Sequence, residues 1–387
     1  MQSFIEQDKT FVANTYARFP VEIVSGEGSI LKDINGKSYI DMGSGIGVTA
    51  FGFNDQVWKD AVIEQINKVQ HTSNLYYTQP CASLAQALCE KTGMSKVFFA
   101  NSGAEANECA IKVARRYGEV NKGANATTII TLKNSFHGRT ITTLSATGQD
   151  VFHAKFNPMT SGFVFATAND LQSVESLIDQ NVCGVLIECV QGEGGVIPLD
   201  KEFVLGVEQL CKQNDLVFMA DEVQTGNGRT GSLYAYMDYG VSPDVVTTAK
   251  GLGGGLPIGA CLMNERVQTL LSYGDHGSTY GGNPVCSAGA LTVINRLDEQ
   301  FLQSVKEKSQ YLFSEISKIK GVESVSGKGL MIGVKTVKPA KEIVSACIEQ
   351  GVLFLTAKDK VRLLPALNIP FELLEKAVSV LKNVIEG

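Results

Sequence analysis

Between residues 96 and 248 the chain alternates short apolar runs of five or six residues with longer stretches of helical composition. Residues 96–100 read as a strand and 104–117 as a helix, and 127–132, 184–188, 216–220 and 243–248 read as further strands. Strands so short and so continuously apolar are covered on both faces, the situation of a parallel sheet built from βαβ units. The expected fold class is α/β, with a mostly parallel central sheet. The ends of the chain differ. In the first 50 residues Gly26, Gly28, Asp33 and Gly36 punctuate alternating strands, and the last hundred read as helices with strands at 330–337, 352–356 and 361–364. The termini are thus expected to join in a smaller α+β domain (1–50 with 285–387) beside a large domain of residues 51–284.

A chain of 387 residues has room for two domains at roughly 150 residues each. Its 44% hydrophobic and 19% charged residues exclude a disordered or collagen-like chain. Net charge is −6 and the basic residues are spread thinly, so nucleic acid is not an expected partner. The N-terminus shows no basic start followed by an apolar core, and apolar runs such as 182–190 stop short of the ~18 residues of a membrane span. A cytoplasmic location is expected, without membrane contact. The nine cysteines include no CxxC pair and several lie in apolar stretches, as buried thiols do in a reducing compartment. No two of the four histidines are four residues apart, and no metal site is expected.

The segment Thr248-Ala249-Lys250-Gly251-Leu252-Gly253-Gly254-Gly255 sets a lysine at the end of an apolar strand, among glycines. Desolvation there lowers the ammonium's pKa and favours the free amine, the form that makes a Schiff base. From this segment alone, a flexible glycine turn with an incidental lysine is equally open. It is not a Walker A loop, because Lys250 precedes the glycines, and Gly253 to Gly255 do not form the GxGxxG turn of a dinucleotide-dependent oxidoreductase. Asp221 follows one apolar strand and Glu188 ends another, which places both at the edge where open α/β sheets bind ligands. An aspartate there can keep a pyridinium nitrogen protonated, or merely cap the next turn; the role of Glu188 is left open. Ser102, Gly103 and Ala104 lead from a strand into a helix, so their amides and the positive helix end suit a phosphate, although they also make an ordinary N-cap. Thr279, in a second Gly-rich loop, is another phosphate donor. Phe136 can stack on a flat ring and Arg139 can clamp a carboxylate. His137 reads as a wall of the ring site or a structural residue rather than a general base. Arg362 is a lone charge in an apolar strand, which calls for a partner.

Together these segments resemble the class III pyridoxal-phosphate aminotransferases of fold type I, in the family's order and over nearly the whole chain. The jointly specific residues are Asn101-Ser102-Gly103-Ala104-Glu105-Ala106-Asn107, Phe136-His137-Gly138-Arg139, Asp221-Glu222-Val223-Gln224-Thr225-Gly226 and Lys250. Tyr16-Ala17-Arg18-Phe19-Pro20-Val21, Ser73-Asn74-Leu75-Tyr76-Tyr77 and Ser278-Thr279-Tyr280-Gly281-Gly282-Asn283-Pro284 make the chain most similar, within the class, to the acetylornithine aminotransferases. One departure is Gly52-Phe53-Asn54-Asp55-Gln56, where relatives usually read Gly-His-x-His-Pro; it lies away from the site motifs.

The resemblance implies that Lys250 holds the cofactor and transfers the proton, and that Asp221 pairs with its ring nitrogen. It also implies that Gln224 reaches the ring hydroxyl, Phe136 and Val223 pack on the two ring faces, and Ser102, Gly103, Ala104 and Thr279 hold the phosphate. Thr279 would come from the neighbouring subunit, hence a homodimer with shared sites. Arg139, with Ser278 of the other subunit, would bind the donor's distant carboxylate. Arg362 would bind the inner carboxylate of 2-oxoglutarate, and Glu193 would pair with Arg362 in the donor half-reaction. The implied reaction moves the terminal amine of N-acetylornithine to 2-oxoglutarate in arginine biosynthesis. Ornithine, succinylornithine, 4-aminobutyrate or another ω-amine is the alternative donor, and a catalytically silent binding protein is disfavoured by the retained Lys250 and Asp221.

Overall fold

The computed structural model describes residues 3–387. Its centre is a seven-stranded sheet of β1 (Lys96–Ala100), β2 (Thr128–Leu132), β3 (Phe163–Ala166), β4 (Val182–Ile187), β5 (Val217–Asp221), β6 (Val245–Thr248) and β7 (Gly259–Met263), in the spatial order β1-β7-β6-β5-β4-β2-β3. All neighbouring pairs are parallel except those of β7, which runs antiparallel to both β1 and β6. The sheet is therefore mixed and mostly parallel, an α/β arrangement as expected.

Every residue of β4 and β5 is buried, because both faces are covered. Val217 and Met219 point into a cluster with Ala110, Val113 and Ala114 of the Gly103–Asn121 helix. Phe218 and Ala220 point the other way, towards Phe203, Val204 and Val207 of the Lys201–Gln213 helix. The period-two alternation of a strand thus feeds two separate cores. Close approach of the first helix depends on Gly118, where an added Cβ would stand 1.9 Å from the Ala126 carbonyl oxygen.

Two strands of this sheet lie outside the expected set, β3 and β7. β7 follows the glycine turn with no α-helix between it and β6, so it returns antiparallel beside β6, which a βαβ reading does not anticipate. A second difference concerns residues 352–356, expected as one strand. The chain instead divides at the buried Phe354: Val352–Leu353 pairs parallel with Ser38–Asp41, and Leu355–Ala357 pairs antiparallel with Lys360–Leu363. The first pairing completes a four-stranded sheet with Ile23–Glu27, Ile30–Asp33 and Ser38–Asp41, and the second completes another with Val322–Lys328, Met331–Thr336 and Lys360–Leu363. Each half of the apolar run satisfies its backbone groups in a different sheet.

The buried Arg229 joins three distant segments. Its Nη1 donates to the carbonyls of Leu330 (3.0 Å) and Pro365 (2.5 Å), and Nη2 to Ser44 Oγ (3.5 Å). Burial lowers its pKa to about 9, and the charge of Asp41 opposes that shift.

Candidate active site

The C-terminal ends of β1, β5 and β6 meet at one edge of the sheet, and a cavity of about 610 Å³ opens there. Eleven residues weighed for a role from the sequence line it: Ser102, Gly103, Ala104, Phe136, His137, Arg139, Glu188, Asp221, Val223, Gln224 and Lys250.

Lys250 opens a short 3₁₀ turn, Lys250–Gly253, directly after β6. It is buried deeply enough that desolvation lowers its pKa to about 8, although the nearby Glu193 carboxylate pulls the other way. The amine is thus poised to lose its proton near neutrality, as a lysine nucleophile must.

Asp221 ends β5 with its carboxylate held from three sides. Oδ2 accepts from Asn107 Nδ2 and bonds His137 Nδ1, both at 2.8 Å, and Oδ1 accepts from the Val223 amide at 3.0 Å. Asn107 is itself fixed, donating to the His137 carbonyl (2.8 Å) and accepting from Thr247 Oγ1 (2.6 Å). His137 is buried, with no partner on Nε2 among the described residues, so its place is that of a support for Asp221. Glu188 lies against the same group: Oε2 accepts from the Phe136 amide at 2.9 Å. Burial, reinforced by the Asp221 charge, raises its pKa well above the usual carboxylate range.

The Gly103–Asn121 helix starts at this edge. Ser102 Oγ accepts from the Glu105 amide (3.2 Å), and Glu105 Oε2 accepts from the Asn101 amide (2.6 Å), a reciprocal cap. The first-turn amides of Gly103 and Ala104 have no intrahelical acceptor. A Cβ on Gly103 would stand 2.6 Å from Val223 Cγ1, so only glycine leaves that amide open beneath the valine.

Phe136 meets Phe152 edge-on at 6.1 Å, and the exposed guanidinium of Arg139 lies 4.0 Å from the Phe152 ring centre. Among the described residues Arg139 has no carboxylate partner. Behind Gln224 lies a pair of a buried arginine and a half-buried glutamate: Arg362 Nη1 donates to Glu193 Oε1 at 2.5 Å and to Gln224 Oε1 at 3.4 Å, while Gln224 Nε2 donates to Glu193 Oε1 at 3.2 Å. Burial would raise the Glu193 pKa, yet the Arg362 charge and hydrogen bond outweigh it and hold the carboxylate low.

Ser278 and Thr279 do not line the cavity of their own chain. Ser278 Oγ accepts from Asn101 Nδ2 (3.1 Å), and Thr279 lies in two smaller clefts, one of them shared with His71, Tyr76 and Tyr77. Asn107, Tyr16, Val48 and residues 255–258 line the large cavity without having been assigned a role from the sequence. Asn107 was within reach of sequence reasoning, since it falls four residues after Gly103 and so on the same helix face.

The Class-III aminotransferase family model matches residues 11–385, and the chain belongs to that family. It is accordingly a pyridoxal-phosphate-dependent transaminase of fold type I. Among curated relatives, the acetylornithine aminotransferase of Haemophilus ducreyi is 50% identical, covering 98% of this chain and 97% of its own. The succinylornithine transaminase of Yersinia pseudotuberculosis is 44% identical, covering 95% and 92%. Among solved structures, the N-acetylornithine aminotransferase of Stenotrophomonas maltophilia matches with a TM-score of 0.86 at 33% identity, covering 99% and 98%. The ornithine aminotransferase of Toxoplasma gondii reaches 0.94 at 28% identity, covering 100% and 96%.

Proposed function

We propose that the chain transfers the terminal amino group of N2-acetyl-L-ornithine to 2-oxoglutarate, giving N-acetylglutamate 5-semialdehyde and L-glutamate, in the arginine-biosynthetic route. The observation that carries this reading is the Glu193–Arg362 pair beside Lys250. A ω-amine donor presents no carboxylate next to its reacting carbon, whereas 2-oxoglutarate does. An arginine neutralised by a displaceable glutamate serves both in turn. Leaving the buried Arg362 charge without a partner costs up to roughly 3–5 kcal/mol, so the incoming carboxylate of 2-oxoglutarate is what makes the exchange feasible.

The residues fit pyridoxal phosphate. The open amides of Gly103 and Ala104, with Ser102, suit its phosphate, and Phe136 and Val223 suit the faces of its ring. Asp221, already oriented by Asn107 and His137, suits the ring nitrogen, Gln224 the ring hydroxyl, and the buried amine of Lys250 its aldehyde. When bound, the cofactor supplies an electron sink for the carbanion at the amine-bearing carbon. Lys250 Nζ takes the proton from that carbon of the donor and, in the second half-reaction, gives one to the corresponding carbon of 2-oxoglutarate. Asp221 holds a negative charge at a fixed place in a water-poor site, where it acts with little reorganisation. Arg139, exposed and unpaired among the described residues, receives the donor's distant carboxylate together with Ser278 of a second copy. Thr279 completes the phosphate site in the same way, so the working unit is a homodimer, and its location is the cytoplasm.

The names of the relatives support a second donor, succinylornithine, which the same Arg139 would serve. Titrating the yellow protein with each amine, 2-oxoglutarate withheld, decides between them. Bleaching by N-acetylornithine at lower concentration than by ornithine, succinylornithine or 4-aminobutyrate supports the proposal. Better bleaching by another of these moves the function to that amine, and a protein that stays colourless with added pyridoxal phosphate overturns the roles given to Lys250 and Asp221.

A further inference from the structure

Trp58 is the single tryptophan of the chain, and its indole lies against the turn that carries Lys250. Nε1 donates to the Gly253 carbonyl at 3.0 Å. Glycines make room for the ring on two sides: a Cβ on Gly254 would stand 2.9 Å from Nε1, and one on Gly289 would stand 2.8 Å from it. The residue is set from its own helix as well. Asp55 Oδ1 accepts from the Trp58 amide at 2.9 Å, and both Asp55 oxygens are gripped by Arg296 at 2.9 and 3.0 Å.

The turn needs such a grip. Lys250 has φ = 45° and Gly254 has φ = 59°; for the lysine this is a left-handed conformation that side chains adopt only when their surroundings impose it. Upstream, Asn227 Nδ2 donates to Thr248 Oγ1 (2.9 Å) and to the Ala249 carbonyl (3.1 Å). Downstream, the indole holds the last residue of the turn. A cavity of about 200 Å³, bordered by Trp58, Gly254, Gly255 and Val293, leaves space into which a released turn would relax.

We propose that Trp58 is a positioning residue: its indole N–H clamps the end of the Lys250 turn and keeps the lysine in its left-handed conformation, with the amine in the large cavity. This rests on the reading of Lys250 as the residue that holds the cofactor. That reading is checked first, by borohydride reduction and peptide mapping of the wild-type holoenzyme. Label on the Lys250 peptide supports it, and label elsewhere overturns it, and this inference with it, before any variant is compared.

The clamp itself is tested on the holoenzyme of Trp58→Phe, which keeps a ring and loses the donor. The pH midpoint of the bound cofactor's absorbance is expected to move by about half a unit or more, and kcat to fall about tenfold with both KM values within about twofold. Val293→Ala, which loosens the same cavity without touching the bond, is expected to lower Tm and leave that midpoint in place. A wild-type midpoint in Trp58→Phe, or an equal shift in Val293→Ala, overturns the clamp. If Trp58→Phe fails to fold, the wild-type protein decides. Its one indole N–H resonance is expected to move when pyridoxal phosphate is stripped from Lys250, and an unmoved resonance overturns the proposal.

Discussion

Glu193 and Arg362 meet between the central body and the C-terminal sheet, the guanidinium 4% exposed and the carboxylate 29% exposed. The asymmetry gives the pair a direction. Arg362 is fixed by its strand, while Glu193 sits in the loop after Val190–Gln191 and has the nearer route to solvent. Of the two, the glutamate is the one that can leave.

Glu193→Gln removes the charge and keeps the shape. With Arg362 left free to receive a carboxylate, glutamate becomes the better amino donor relative to N-acetylornithine. The ratio of kcat/KM for the two donors is expected to move by about tenfold or more, some 1.4 kcal/mol. Half-reaction kinetics by absorbance measure it, and an unchanged ratio would sink the switch.

Asp221→Asn keeps the shape of the side chain, abolishes its negative charge and, with its oxygen on Asn107 and His137, gives up the bond from the Val223 amide. The expected loss in kcat is about 10²–10³-fold, the scale of removing one preorganised electrostatic group. Circular dichroism should show the fold intact. A loss under tenfold would mean that the His137–Asp221–Asn107 network is structural only.

Lys250 offers a pH signature. In the cofactor-free protein its pKa is lowered from 10.5 to about 8, so below about 8 the buried ammonium is present and opposes folding. That opposition is relieved as pH rises from about 8 to 10.5, where the unfolded chain binds a proton that the folded one does not. Capture of pyridoxal phosphate by the free amine should therefore rise with a midpoint near 8 in stopped-flow absorbance. Cofactor-free Lys250→Met should be more stable than cofactor-free wild type at neutral pH, the gap narrowing above pH 8. A capture midpoint near 10 contradicts the desolvated amine.

Arg229→Met removes a cation that bonds the Leu330 and Pro365 carbonyls and lies beside Asp41. Asp41 keeps its bonds from the Gly43 and Ser44 amides (2.8 and 3.0 Å) but loses a nearby buried cation, while two buried carbonyls lose their donor, and a loss of roughly 1–3 kcal/mol is expected. Denaturant unfolding would show it, and Arg229→Met with Asp41→Asn should recover part of it. Additive losses in the double variant would rule out the coupling.

Much of the central sheet was legible because its strands are covered on both faces and so leave continuous apolar runs; the edges of β4, β5 and β6 fall within two residues of the expected ones. The eleven cavity residues were legible for a related reason, since each lies at or just after a strand end or a helix start that the same pattern locates. What escaped has a common cause. β7 and the division at Phe354 are decided by which neighbour supplies a hydrogen-bonding edge, information held in distant segments. The joint support of Asp221 by Asn107 and His137 likewise exists only once β5, the Gly103–Asn121 helix and the loop after β2 are side by side.

The division at Phe354 has a mechanical consequence. Leu353 is bonded into the sheet of the chain's first fifty residues, and Leu355, two residues on, stands directly opposite Arg362 in the other sheet. One buried phenylalanine is the covalent link between them, and Met42 adds a second tie, its amide donating to the Leu353 carbonyl (3.0 Å) and its carbonyl accepting from the Leu364 amide (2.7 Å). The two sheets are therefore tied at one corner, with Arg362 on one side and the N-terminal hairpins on the other. Strain or cleavage around residues 23–41 would be felt at Arg362 without passing through the cofactor cavity at all.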